Sequence, residues 1–327
     1  MDRVDLERRI EEGRLNILVP VWHLHVLDHI AQLFPESTFC VVGSRRLGDF
    51  GYPYSKNIYL FNKSLSSVST SRFDLFFDVG HLWSVDPEEY YRASARIDLP
   101  RVFLAVFLWS PYSREYYLDL EGYPLVFEES KTMNSREWSF YPRDLKYLIY
   151  NVAPLFYYSK WIGDVKGAFT VFNYHRQPRL YREDDEVYIA LEDRLGRDKF
   201  YVHDGSVKFL SEDKLVRLYS RFRVYIEGSK TRRITNAFLQ ALAIGIPTLV
   251  LENDLDYTKL IERVDRTLLF RTVDEGVEKI ETLLEDYTLA RNISLTIKSR
   301  VRDLLSPEVV RSRWKEVFYK AVETYFR

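Results

Sequence analysis

Val224-Tyr225-Ile226-Glu227-Gly228-Ser229-Lys230-Thr231-Arg232-Arg233-Ile234-Thr235-Asn236-Ala237-Phe238-Leu239-Gln240-Ala241-Leu242-Ala243-Ile244-Gly245-Ile246-Pro247-Thr248-Leu249-Val250 is the stretch on which the fold is decided. A short apolar run reads as a buried strand, a polar loop with Gly, Ser and Thr comes next, and residues 234–244 carry a helical period. Gly245 sits where a helix ends in a left-handed residue, Pro247 stops any continuation, and a second apolar run begins at Thr248. Strand, loop, helix and strand in this order form a β-α-β unit of a parallel sheet. Such a loop lies at the carboxyl end of its strand, where backbone N–H groups at a helix N-terminus attract anions. Lys230, Arg232 and Arg233 add positive charge there, so a phosphate or diphosphate suits the loop. A plain connection with solvated basic side chains is the alternative.

The same rhythm extends in both directions. Strands are expected at 15–21, 38–42, 58–61, 73–79, 102–109 and 125–127, with helices at 23–34 and 87–95, the second entered through Asp86 as N-cap and Pro87 at its first position. These strands are nearly continuous apolar runs, as expected of a sheet covered on both faces. Residues 110–143 show no clear period and are expected to be irregular. In the second half, strands are expected at 169–174, 199–202, 222–226, 248–251 and 267–270 and helices at 185–195, 212–220, 234–244, 256–264 and 273–284. From Thr288 onwards the pattern is helical, and Pro307 opens the last helix. The boundary falls near 155–168, which gives an N-terminal domain over 1–162, a C-terminal domain over 163–306 and a tail helix over 307–327.

Composition agrees with two domains. At 327 residues a chain buries about three quarters of its unfolded surface and needs no metal or disulfide staple. Lys+Arg 47 against Asp+Glu 48 leaves a net charge of -1, which argues against a broad basic face for nucleic acid. The single Cys40, inside an apolar run, reads as a small buried hydrophobe. Residues 1–9 lack the layout of a signal peptide, and no apolar run approaches about 18 residues, so a cytoplasmic, soluble protein is expected. Gln occurs only at 32, 177 and 240, and 29% of residues are charged, a bias expected of a heat-adapted source.

Two histidines lie just after strands of the first half: His23, in Trp22-His23-Leu24-His25, and His81, in Asp78-Val79-Gly80-His81. A histidine at a strand's carboxyl end can act as general base towards a hydroxyl, since its pKa lies near neutrality; a local hydrogen-bonding role is the alternative. Asp78 is a candidate to orient His81 or to be the base itself. Trp109, Tyr112, Tyr116, Tyr117 and Tyr123 form an aromatic group that would either stack on sugar rings or pack a core. No His, Cys, Asp and Glu set shows metal-ligand spacing.

Residues 224–250 resemble the donor-site core of GT-B glycosyltransferases, family 4 in particular, in which a strand ending in Pro-Ser leads through a Glu-bearing loop to a helix of the form Glu-Ala-x-Ala-x-Gly-x-Pro-Val. Ser229 and the run from Ala241 to Thr248 carry the match. Residues 207–220 resemble the strand and Tyr-ending helix that precede this core, and 268–270 with 273–284 resemble the family's terminal pattern. The resemblance covers 199–304, and 1–198 only by general architecture. It implies two Rossmann-like domains facing a cleft, with a tail helix crossing back to the N-terminal domain. It also implies a sugar transferred from a nucleoside-diphosphate donor, UDP- or GDP-linked, with retention and without a metal or other cofactor.

Within that frame Gly228, Ser229, Lys230, Arg232, Thr235 and Asn236 are expected to hold the diphosphate. The loop 175–182 is expected to neutralise the leaving group through Arg176, with Arg179 second. The family's E-x7-E pair is replaced: Arg232 and Gln240 stand at its positions. Gln240 can still hydrogen-bond a ribose or sugar, whereas Arg232 cannot act as a carboxylate and suits phosphate. The strand end at Asp78–His81 resembles the family's Asp-Val-Val-His-x-His, and the acidic group 252–256 is expected at sugar or ribose. Expected partners are a nucleotide sugar and a glycan, lipid or protein acceptor, not nucleic acid, with peripheral membrane contact open for the N-terminal domain. A catalytically silent binding protein of the same fold is the alternative. A dinucleotide-binding Rossmann enzyme is disfavoured because no strand leads into G-x-G-x-x-G.

Overall fold

The computed structural model describes residues 2–20, 24–43, 55–79, 87–105, 117–118, 122–128, 130–171, 182–203, 210–230 and 234–327. The chain divides into two compact units, one formed by Met1–Asn151 with Val310–Arg327, the other by Val152–Val309.

The first unit is built on a parallel sheet of strands β1 (Asn16–Pro20), β2 (Thr38–Val42), β3 (Ile58–Phe61), β4 (Leu75–Asp78), β5 (Arg101–Leu104), β6 (Leu125–Phe127) and β7 (Lys146–Leu148), in the order β3-β2-β1-β4-β5-β6-β7. The order reverses between β1 and β4, the place where open α/β sheets bind ligands. Strand β7 lies at an edge and is only half-buried. A helix over Arg3–Glu12, unannounced by its polar composition, is fixed by its ends: the Asp2 side chain accepts from Asp5 N–H at 2.7 Å, and Gly13 closes it with φ 69°.

The tail helix Pro307–Tyr325 belongs to this unit from Val310 onward. Its Val310, Trp314, Val317, Phe318 and Ala321 join the core with Leu6, Ile10, Val19 and Phe77. The helical spacing of those residues thus records burial against the first unit's sheet, as expected. Tyr117, in contrast, is a core residue and no platform for sugar: it is 1% exposed and meets Phe103, Trp138 and Tyr141 edge-on. Tyr123 is half-buried beside Phe103, and its carbonyl accepts from Tyr141 at 2.5 Å; Trp109, Tyr112 and Tyr116 lie outside the described residues.

The second unit carries a parallel sheet of β8 (Val165–Val171), β9 (Phe200–His203), β10 (Phe222–Glu227), β11 (Thr248–Leu251) and β12 (Leu269–Phe270), ordered β12-β11-β10-β8-β9. Its switch point lies between β8 and β10. The helices Arg182–Leu195, Glu212–Arg221, Asn236–Ile244, Asp256–Val264 and Val273–Glu285 fall within a few residues of the expected ones. Gly245 takes φ 86°, and a Cβ there would stand 3.2 Å from both the Ser294 carbonyl and the Lys298 side chain. Lys298 Nζ caps the same helix end, donating to the carbonyls of Ala243 at 2.5 Å and of Tyr157, and burial pushes its pKa down to about 8.

Both units bury tyrosines completely. Burial raises Tyr117, Tyr219 and Tyr225 well above their usual pKa, helped by the charge of Asp78 for the first and of Glu227 for the other two. The unfolded chain ionises such groups near pH 10 while the folded one keeps its protons, so their contribution to stability is intact below pH 10 and is lost as pH rises above it. Each is expected to cost about 1.4 kcal/mol of stability per pH unit beyond that point. Urea midpoints measured between pH 8 and 11 check this: a fall confined to the range above pH 10 is the expected result, and a flat profile contradicts it.

Candidate functional site

The site is built at the switch point of the second unit. β8 runs into residues 172–181, which carry Arg176 and Arg179, and its neighbour β10 runs into the loop that carries Lys230 and Arg232. Arg176, Arg179 and Arg232 lie outside the described residues, whereas Lys230 is described and exposed. β8 and β10 are parallel neighbours, so their carboxyl ends lie at the same end of the sheet although the two strands are far apart in sequence.

Thr235 is the N-cap of the helix Asn236–Ile244. Its backbone is extended, at φ -95° and ψ 149°, and its Oγ1 accepts from the Phe238 N–H at 3.1 Å. The first-turn N–H groups of Asn236 and Ala237, for which a helix has no internal partner, belong to its positive end. A diphosphate would meet these groups together with Lys230. Gln240 stands one turn further along, 8% exposed.

Gly228 and Ser229 play a different part from the one expected. Their N–H groups are directed inward: Gly228 N–H donates to Tyr188 Oη at 2.9 Å and Ser229 N–H to Glu227 Oε1 at 3.4 Å. The Ser229 carbonyl accepts from Asn253 Nδ2 at 2.9 Å and from Tyr257 Oη. The backbone of Gly228 and Ser229 is thus held by internal hydrogen bonds. At Gly228 the backbone passes so close to the Arg182–Leu195 helix that a Cβ would lie 2.9 Å from Val187 Cγ1 and 3.1 Å from Tyr188 Cε1, which leaves room for glycine alone.

Glu227, Tyr188 and Tyr257 are the residues that sequence reading left without a role. Only Glu227 had a signal, an acidic side chain closing an apolar strand. Of the acidic group 252–256, Asn253 holds the loop, while Glu252 pairs with Arg271 at 2.5 Å and Asp256 lies buried.

In the first unit, His23 and His81 fall outside the described residues, in segments that come after the neighbouring strands β1 and β4. Asp78 closes β4 and is fully buried. It accepts from Arg101 Nη1 at 2.6 Å, Tyr90 Oη at 2.6 Å and Ser94 Oγ at 2.8 Å. A carboxylate held by three donors is an anchor for the sheet end, and a role as proton acceptor would break that arrangement. Among the described residues no group of three His, Cys, Asp or Glu side chains is placed to hold a metal ion, and no helix is long and apolar enough to cross a membrane.

The chain superposes on sucrose-phosphate synthase of Thermosynechococcus elongatus with a TM-score of 0.63 at 11% identity, over 93% of this chain and 98% of that one. It superposes on HepE of Anabaena, solved in complex with UDP and glucose, with a TM-score of 0.60 at 11% identity, over 92% and 98% of the two chains. The chain has the GT-B fold. WaaG, a glycosyltransferase involved in lipopolysaccharide biosynthesis, shares the GT-B fold with it at a TM-score of 0.56 and 10% identity, over 93% of this chain and 99% of that one. No family model matches the sequence, and no curated protein does.

Proposed function

We propose that this protein is a glycosyltransferase that takes a sugar from a nucleoside-diphosphate donor and transfers it to an acceptor hydroxyl. The observation that carries the reading is the Thr235-capped helix N-terminus beside Lys230 at the switch point of the second sheet. HepE, of the same fold, was solved with UDP, and this favours a UDP-linked donor.

In this mechanism the donor's diphosphate lies against the N-terminus of the Asn236–Ile244 helix, with Lys230, Arg232, Arg176 and Arg179 supplying positive charge. As the glycosidic bond breaks, negative charge builds on the departing nucleoside diphosphate, and fixed dipoles and cations stabilise that charge without a metal ion. Gln240 reaches the ribose or sugar through its amide. His81 or His23 receives the acceptor's proton. Retention of the anomeric configuration accords with the family resemblance, and the acceptor is a glycan, a lipid or a protein.

Calorimetric titration with UDP-, GDP-, ADP- and dTDP-sugars tests the proposal, with binding of a UDP-sugar expected and no binding of any of them as the result that sinks it. Binding without turnover on any acceptor or on water would instead point to a silent binding protein. Lys230→Ala removes one charge-assisted contact, worth about 1.5–3 kcal/mol, and is expected to weaken donor binding by about tenfold to a hundredfold. Unchanged affinity in that variant would remove Lys230 from the site.

A further inference from the structure

We propose that Glu227 is the positioning residue of the diphosphate loop, a buried carboxylate that holds both ends of the loop by hydrogen bonds. The inference rests on the loop being the donor site, and it deepens that reading by naming what keeps the loop in shape.

Glu227 is 2% exposed at the end of a strand whose Val224, Tyr225 and Ile226 are all buried. A carboxylate in such a place is costly unless donors surround it. Oε1 accepts from Tyr188 Oη at 3.1 Å and from the Ser229 N–H at 3.4 Å; Oε2 accepts from Tyr225 Oη at 3.3 Å and Thr235 Oγ1 at 3.4 Å.

Two of these partners pass the contact on to the loop. Tyr188 Oη, while donating to Glu227, accepts from the Gly228 N–H at 2.9 Å. Thr235 Oγ1, while donating to Glu227, accepts from the Phe238 N–H at 3.1 Å and so caps the helix. One side chain therefore joins the start of the loop, the Arg182–Leu195 helix and the N-terminus of the Asn236–Ile244 helix. The same carboxylate thus holds Gly228 and Ser229 on one side and the Thr235 cap on the other, and the direction of the helix N–H groups depends on it. A hydroxyl that donates to a carboxylate also becomes a better acceptor, so each relay is strengthened along its own chain.

The role belongs to this chain's residues: the residue before Ser229 is a glycine packed on Tyr188. A strand end that needed only to be filled would take an aliphatic side chain.

Two measurements on the full chain test the clamp, amide hydrogen exchange without ligand and UDP affinity. Glu227→Ala is expected to raise exchange at Gly228, Ser229 and Phe238 by tenfold or more, to leave β11 at its wild-type protection, and to weaken UDP binding by at least tenfold. Glu227→Gln, which keeps the shape and one acceptor oxygen, is expected to stay within about threefold of wild type in affinity. Tyr188→Phe, a variant that keeps the packing, is expected to raise exchange at Gly228 while the cap at Phe238 stays protected. Wild-type protection at Gly228, Ser229 and Phe238 in Glu227→Ala would overturn the proposal, and so would loss of protection spread evenly over residues 152–309. Should Glu227→Ala not fold, Glu227→Gln and Tyr188→Phe decide it by the same exchange readout. If wild-type protein binds no UDP or UDP-sugar, the functional reading fails, and the ligand-free exchange still decides the clamp.

Discussion

Asp78→Ala is expected to lower the stability of the first unit by about 3–5 kcal/mol, because it strands a buried guanidinium. Arg101 is 2% exposed and Asp78 0%, and they meet at 2.6 Å. Arg101 Nη2 also donates to the carbonyls of Ser94 at 2.9 Å and Ile97 at 3.2 Å, just where the helix Pro87–Ala95 ends and its last carbonyls need donors. The guanidinium lies 5.0 Å from the centre of the Phe76 ring and is 2% exposed, so burial keeps solvent from replacing a lost carboxylate. Against a total of about 5–15 kcal/mol for a domain, such a loss is expected to unfold much of the first unit at moderate urea. Urea titration monitored by near-ultraviolet circular dichroism is the check: the transition of the first unit should move to lower urea and that of the second should stay. Asp78→Leu combined with Arg101→Met removes both charges and is expected to recover most of the stability. An Asp78→Ala protein with wild-type midpoints would show that the pair holds nothing.

Trp314→Ala is expected to cost about 3–5 kcal/mol, the usual range for emptying a large aromatic site. The indole is fully buried, stacks on Phe77 with ring centres 5.5 Å apart, lies 5.8 Å from Phe318, and donates to Asn151 Oδ1 at 2.9 Å. It fastens the tail helix to the core of the first unit, so its loss should expose that helix to proteolysis before the rest of the chain. Limited digestion with mass analysis is the measurement: early release of C-terminal fragments in Trp314→Ala is expected, and a wild-type digestion pattern would contradict it. Trp314→Phe keeps the ring contacts and loses the bond to Asn151, and should fall between the two.

These anchors bear on how far the candidate site was legible. The strand-loop-helix around Lys230 and Thr235 could be read directly, because the elements that deliver it are contiguous and each carries its own period, cap or stop. Asp78 was legible as an acidic residue at a strand end. Its partner Arg101 begins another strand, and only pairing of β4 with β5 makes the carboxylate an anchor instead of a base. Glu227 has the same history: its donors at 188, 225, 229 and 235 come from separate elements, and nothing in their spacing announces a convergence.

What the sequence determined by itself is the set of local choices: which runs are strands, which are helices, where Gly245 and Pro247 end one and begin the next, and that the loop after β10 is basic. Period, capping and backbone preference act within a few residues, so one linear string contains them. The tertiary structure decided which strands are neighbours. It thereby decided that β8 and β10 end side by side, that Tyr117 is core, and that the tail helix is buried against the first unit. It also turned the Gly228 and Ser229 N–H groups inward, onto Tyr188 and Glu227. Those outcomes depend on contacts between residues far apart in sequence, where the free energy of burying a charge or an aromatic ring is set by what surrounds it.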